Sequence, residues 1–146
     1  MGDPQAFFVV GHENWGKSET LHELMGGSHH VRKALIGGRS FVIWRMSNDD
    51  VEEDWVKKIR RLDPNRNPHV VLTVCPKREA MSVLSELRKK YALFFWVMRR
   101  SYTEDRVIPP AEEQQLRRLG VVEVFSDRAE ARVRAAEFRR FIELHP

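Results

Sequence analysis

Hydrophobic and polar positions alternate along this chain in blocks, and the blocks predict a regular succession of elements. Short apolar runs, Ala6-Phe7-Phe8-Val9-Val10, His69 to Cys75 and Ala92 to Met98, have no polar face and read as strands buried on both sides. Between them lie stretches with apolar residues every three or four positions. Val51 to Leu62 places Val51, Trp55, Val56, Ile59 and Leu62 on one stripe, and Lys77 to Tyr91 does the same with Ala80, Met81, Leu84, Leu87 and Tyr91. Pro109-Pro110 opens a helix that ends at Gly120, Val121 to Phe125 is a last strand, and Asp127 to Leu144 is a closing helix capped by Ser126 or Asp127.

The region after the first helix breaks the alternation. Gly26-Gly27-Ser28 ends that helix. Val31 to Ile36 and Arg39 to Met46 are two strand-like runs separated only by Gly37-Gly38, the signal of a type I′ hairpin. The second and third strands are therefore expected to be antiparallel neighbours. Ser47-Asn48-Asp49-Asp50 follows with four short polar side chains, a natural N-cap for the next helix, and Asp50 with Glu53 comes close to a capping box.

Strand and helix in turn imply an α/β fold with three layers, α/β/α: a mostly parallel six-stranded sheet, one antiparallel strand at its edge, and helices on both faces. A length of 146 residues fits one domain spanning 1–146. In open sheets of this kind the ligand lies at the carboxyl ends of the strands.

The segment at the carboxyl end of the first strand carries chemistry. Gly11-His12-Glu13-Asn14-Trp15-Gly16-Lys17-Ser18 fits G-x-x-x-x-G-K-[ST] without mismatch, between an apolar run and a predicted helix. The glycines let the main chain turn close to an anion, and successive N–H groups then face one concavity. The helix that follows adds its free N–H groups and dipole. Lys17 is placed to reach the β- and γ-phosphates, which makes it the candidate catalytic residue, and Ser18 is placed to offer its hydroxyl to Mg²⁺. Gly11 to Ser18 and Glu19 form the candidate nucleotide-binding set; Asp49 and Asp50 join Ser18 as candidate metal partners.

On these residues the stretch Ala6 to Leu24 resembles the P-loop NTPase superfamily. The order of elements across nearly the whole chain resembles the small-GTPase branch, with its early hairpin, six strands and closing helix. That likeness implies that Ser47 to Asp50, at the end of the third strand, sits beside the γ-phosphate and Mg²⁺. The branch carries D-x-x-G there, and this chain carries Ser47-Asn48-Asp49-Asp50. The guanine-reading N-K-x-D is replaced by Arg99-Arg100-Ser101-Tyr102, and the loop Gly26 to His30 lacks a threonine for the metal. The resemblance thus transfers Gly11, Gly16, Lys17 and Ser18, and favours ATP over GTP.

Three readings stay open: an enzyme that hydrolyses a Mg²⁺-nucleoside triphosphate or transfers its phosphoryl group, a GTPase-like module that binds nucleotide and works through a protein partner, and a nucleic-acid-associated protein. The first two differ in turnover. Against the third, 25 basic residues are interleaved with 21 acidic ones, and pairs such as Arg60-Arg61 and Arg117-Arg118 fall on predicted helix faces. Arg99, Arg100 and Arg106, after the fifth strand, are candidates to lie over the phosphates. His29-His30 reads as a polar loop, and Cys75 has no evident histidine partner. One cysteine and no apolar run of membrane-spanning length fit a cytoplasmic protein with no membrane partner.

Overall fold

The computed structural model describes residues 3–27, 32–101 and 105–146. The elements run β1 (Gln5–Val10), α1 (Lys17–Leu24), β2 (Lys33–Ile36), β3 (Arg39–Ile43), α2 (Glu52–Arg60), β4 (His69–Val74), α3 (Arg78–Leu87), β5 (Ala92–Met98), α4 (Pro110–Leu119), β6 (Val121–Phe125) and α5 (Ala131–Glu143). The six strands form one sheet in the order β2-β3-β4-β1-β5-β6. All neighbours are parallel except β2 and β3, whose ladder runs from Lys33↔Val42 to Ile36↔Arg39. Gly37 and Gly38, both with positive φ (58° and 78°), close that hairpin as expected.

The apolar runs are where the sheet is deepest. Every residue of β1 is buried, and it lies between β4 and β5 with Phe7 opposite both Val71 and Phe94. On one face Phe7 stacks on Phe94 at 4.4 Å and meets Phe41 and Phe141 edge-on, each at 5.8 Å. Phe141 comes from α5, which packs against α1 to form one outer layer. Trp96 continues this face, 5.7 Å from Phe138 of α5. The other face carries Phe8 against Phe95 at 5.3 Å, and α2, α3 and α4 make the second layer, each touching the next. Burying each such aromatic ring contributes about 1.5–3 kcal/mol. At the amino ends of the strands Arg39 donates to the carbonyls of Ile142 (2.9 Å) and His145 (3.0 Å), tying the end of α5 to the sheet.

Several boundaries differ from the sequence reading. The predicted strand Arg39 to Met46 is regular only to Ile43, and α3 ends at Leu87. α2 begins at Glu52 with Val51 as its cap position and no side-chain cap bond, and α5 begins at Ala131 behind Glu130. The expected caps Ser47 to Asp50, Ser126 and Asp127 therefore do not cap these helices. Ser28, Val31, the His29-His30 pair and Tyr102 lie outside the described residues. Among the described residues no helix is long and apolar enough to cross a membrane.

Gly120 joins α4 to β6 with extended backbone pressed against β5. A Cβ there would collide with the Leu93 carbonyl, whose carbon lies only 2.8 Å away. Because the obstacle is main chain, Gly120→Ala is expected to lower stability by about 1–3 kcal/mol. A reduced urea midpoint with an unchanged slope is the expected result.

Candidate functional site

The loop Gly11 to Gly16 leaves β1 at the centre of the sheet and turns directly into α1. Gly11 N–H donates to Val74 O of β4 (3.2 Å), and Trp15 N–H donates back to His12 O (3.2 Å). Asn14 (φ 65°) and Gly16 (φ 92°) are both left-handed, which turns the intervening N–H groups toward one side. Only glycine serves at Gly16, because a Cβ there would strike the Arg134 guanidinium.

Lys17 is the first residue of α1 and is almost wholly buried. Its ammonium donates to His12 O and to Asp49 Oδ2, each at 3.0 Å, and both ion-pair partners are 6% exposed. Burial alone would raise the Asp49 carboxyl. The Lys17 charge and hydrogen bonds from Ser47 and Lys17 outweigh it and hold the group below its ordinary value of 3.8.

The turn that presents Asp49 is built by the side chains expected to be caps. Ser47 N–H donates to Asp50 Oδ2 (2.9 Å), and Asp50 N–H to Ser47 O (3.1 Å). Asn48 is buried and takes the place of a ladder residue: its Nδ2 donates to Cys75 O (2.9 Å) and its Oδ1 accepts from Cys75 N–H (2.7 Å). Thr73 Oγ1 holds Met46 O, and the Trp55 indole N–H holds Thr73 O from α2. The end of β3 is thus stitched to β4. Although β4 separates β3 from β1, Asp49 is delivered across it to Lys17.

These residues enclose a cavity of ≈ 140 Å³ lined by Asn14, Gly16, Lys17, Ser18, Arg45 and Asp49, with Glu19 and Asp50 at its rim. Asp49 Oδ1 is buried there with no hydrogen-bond partner. A carboxylate without a partner on one oxygen and the Ser18 hydroxyl, both lining this cavity, are the donor type that Mg²⁺ takes, one or two protein oxygens with water and phosphate completing the shell. Among the described residues no cluster of three His, Cys, Asp or Glu side chains could hold a metal.

Other side chains of the loop face elsewhere. Glu13 is exposed to solvent. The Trp15 indole is buried and does not line the cavity. His12 Nε2 meets Glu112 Oε1 of α4 at 2.6 Å, and His12 Nδ1 lies 3.6 Å from Cys75 Sγ. Cys75 therefore does have a histidine beside it, contrary to the sequence reading. Burial pushes its thiol up to about 11, so it stays protonated and is no nucleophile. Of the three candidate arginines, Arg99 is drawn to Glu113 and Ser126, Arg100 bridges Val107 through the backbone, and Arg106 lies over the Trp15 ring at 5.8 Å.

Two contributors escaped the sequence reading. Arg45 lines the cavity, and nothing in a strand-like run marked it. Arg134 lies buried on α5, donating to Thr20 Oγ1 (2.9 Å) and Gly16 O (3.2 Å) behind the loop. Its signal was available: Arg134 occupies the apolar stripe of Phe138, Phe141 and Ile142, where a charge needs a partner.

No protein-family model matches the chain, and no curated protein matches it. Among solved structures it is similar to a de novo designed protein of P-loop NTPase fold, determined by solution NMR. The similarity covers 97% of each chain with a TM-score of 0.50 and 14% identity. It establishes the fold: an α/β sheet, mostly parallel with one antiparallel pair, flanked by helices, of P-loop NTPase type.

Proposed function

We propose that this chain binds the phosphates of a Mg²⁺-nucleoside triphosphate at the Gly11 to Ser18 loop, ATP in preference to GTP, and hydrolyses it or transfers its γ-phosphoryl group. One observation carries the reading. The buried Lys17–Asp49 pair sits under a left-handed glycine turn at a helix start, with Asp49 Oδ1 unsatisfied beside it. Besides Lys17 and Arg45, the cavity has the main chain of the loop and a carboxylate oxygen without a hydrogen-bond partner at hand, an arrangement suited to a phosphate with its metal.

At ≈ 140 Å³ the cavity encloses the phosphate end of a nucleotide and leaves sugar and base on the surface. Lys17 exchanges its hydrogen bond to Asp49 for one to a β- or γ-oxygen. Asp49, so released, and Ser18 would hold Mg²⁺, which would supply charge neutralisation for the phosphates. Arg45 lines the cavity and Arg106 stands over Trp15; either can add charge in a loose transition state. ATP is preferred because Arg99-Arg100-Ser101-Tyr102 stands in place of the guanine-reading N-K-x-D, with Tyr102 where the base-reading carboxylate would be.

A second reading, binding without turnover and action through a protein partner, has one observation in its favour. Both carboxylates at the rim are already engaged, Asp50 Oδ2 by Ser47 N–H and Glu19 by Arg134 at 3.7 Å, which weighs against a dedicated water-orienting base. Calorimetric titration with ATP, GTP and a non-hydrolysable ATP analogue, with and without Mg²⁺, decides on binding. Micromolar, Mg²⁺-dependent binding of ATP is expected; no heat with any nucleotide would refute both readings. Phosphate release over hours then separates turnover from binding alone.

A further inference from the structure

Two further cavities continue from the phosphate cavity along one side of the molecule. Arg45 is shared between it and a cavity of ≈ 190 Å³. That one shares Trp44, Met46 and Lys58 with a larger cavity of ≈ 440 Å³. Together they form a trench from the carboxyl end of β3, along α2, to the turn before β4. Asp54, Lys57, Lys58 and Arg61 line it from one face of α2, as their three- and four-residue spacing requires.

The charge of the trench is one-sided. Counting Arg45, which it shares with the phosphate cavity, it is lined by six cations, Arg32, Arg45, Lys57, Lys58, Arg61 and Arg66, and by two carboxylates, Asp54 and Asp63. The excess of four equals the formal charge of the whole chain. Elsewhere several basic side chains are matched: Arg60 with Glu86, Arg99 with Glu113, Arg128 with Asp105, Arg140 with Glu137. Among the described residues no such ion pair forms at Arg32, Lys57, Lys58, Arg61 or Arg66. Lys58 lies 4.6 Å over the Trp44 ring instead, and burial together with the charge of Arg32 holds its ammonium below the usual lysine range. Packing like charges into a concave wall costs free energy that a bound anion would return.

We infer that this trench binds a small phosphomonoester bearing hydroxyl groups, in a site separate from the nucleotide phosphates at Lys17. Lysines and arginines side by side suit a phosphate, the arginines through paired N–H groups. Asp54 and Asp63 accept hydrogen bonds from hydroxyls, and Trp44 offers an apolar wall. A volume of ≈ 440 Å³ falls in the range of small-molecule sites, about 300–1,000 Å³. The same two carboxylates interrupt the cation row, which disfavours a continuous nucleic-acid backbone.

The test uses ribose 5-phosphate as probe and tryptophan emission as signal. Trp15, Trp55 and Trp96 are at most 2% exposed, so Trp44 is the ring that a ligand in the trench reaches. A saturable emission change is expected in the native chain, with affinity falling at least about tenfold when Lys58→Ala and Arg61→Ala are combined. That variant is expected to keep Mg²⁺-ATP binding, and Lys17→Ala to keep the ribose 5-phosphate response while losing ATP. The two sites thus fail independently: Lys58→Ala installs a good helix former in α2, and Arg61 is an exposed residue just past its end. No saturable response, or one indifferent to Lys58→Ala with Arg61→Ala, would overturn the inference. So would a ten-residue thymidine oligonucleotide that binds more tightly than ribose 5-phosphate and loses affinity in that variant.

Discussion

Lys17→Ala is expected to abolish Mg²⁺-nucleotide binding and also to destabilise the fold by about 3–5 kcal/mol, the cost of leaving one member of a buried ion pair alone. Both effects come from one atom. The Lys17 ammonium is the counterion of a carboxylate that is 6% exposed, and Lys17 is the one basic residue in the first turn of α1. Calorimetry reads the first effect and urea unfolding the second. Replacing both partners, Lys17→Met with Asp49→Leu, is expected to recover most of the stability and none of the binding, because no charge is then left uncompensated. Retained binding in Lys17→Ala would detach the nucleotide from this loop altogether. The pair also sets an acid limit. Asp49 titrates below 3.8 when folded, so its contribution is complete above that pH and is lost as pH falls through the folded value. The stability gap between the native chain and Asp49→Asn is expected to stay flat at higher pH and to narrow below 3.8.

The largest loss of stability without a charge is expected from Phe7→Ala, about 3–5 kcal/mol. Phe7 is fully buried in the central strand and touches rings from three other elements, Phe41 on β3, Phe94 on β5 and Phe141 on α5. Collapse around the vacated space would have to draw β3, β5 and α5 inward together, and the hydrogen-bonded sheet resists that. Against a typical domain stability of about 5–15 kcal/mol, such a loss leaves little reserve. Leu35→Ala is the matching control: Leu35 is 68% exposed on the edge strand β2, and a change within about 0.5 kcal/mol is expected. Equal midpoints for the two variants would contradict the core as described.

The alternation of apolar runs and amphipathic stretches was enough to reveal every strand and helix, although Val51, expected on the apolar stripe of α2, stands exposed at its cap position. Gly37-Gly38 specified the hairpin through backbone conformation alone. The phosphate loop was legible because its glycines, lysine and serine act at fixed short spacing. Lateral order was not legible. That β4 lies between β1 and β3 follows from pairing across the sheet, which one-dimensional patterning does not encode. The same limit hid Asn48, whose amide copies a backbone pairing with Cys75 some 27 positions away. Local rules read Ser47 to Asp50 as caps, since short polar side chains before a helix usually are. The tertiary contacts to Lys17 and Cys75 won instead. His12 and Cys75 are 63 positions apart and meet only because Val10 and Val74 end adjacent strands in register.

Cys75 gives this fold a built-in reporter. It is the single cysteine, fully buried, its main chain stitched to Asn48 and its thiol set against His12. A thiol that ionises near 11 and never meets solvent does not react with an alkylating reagent while these contacts stand. Labelling therefore counts the moments when the ends of β1 and β4 part, and its rate reads the breathing of the phosphate loop directly. A ligand seated on the phosphate loop and Asp49 would hold the ends of β1 and β4 together and lengthen the time to modification, with no engineered probe and no other sulfhydryl to confuse the signal.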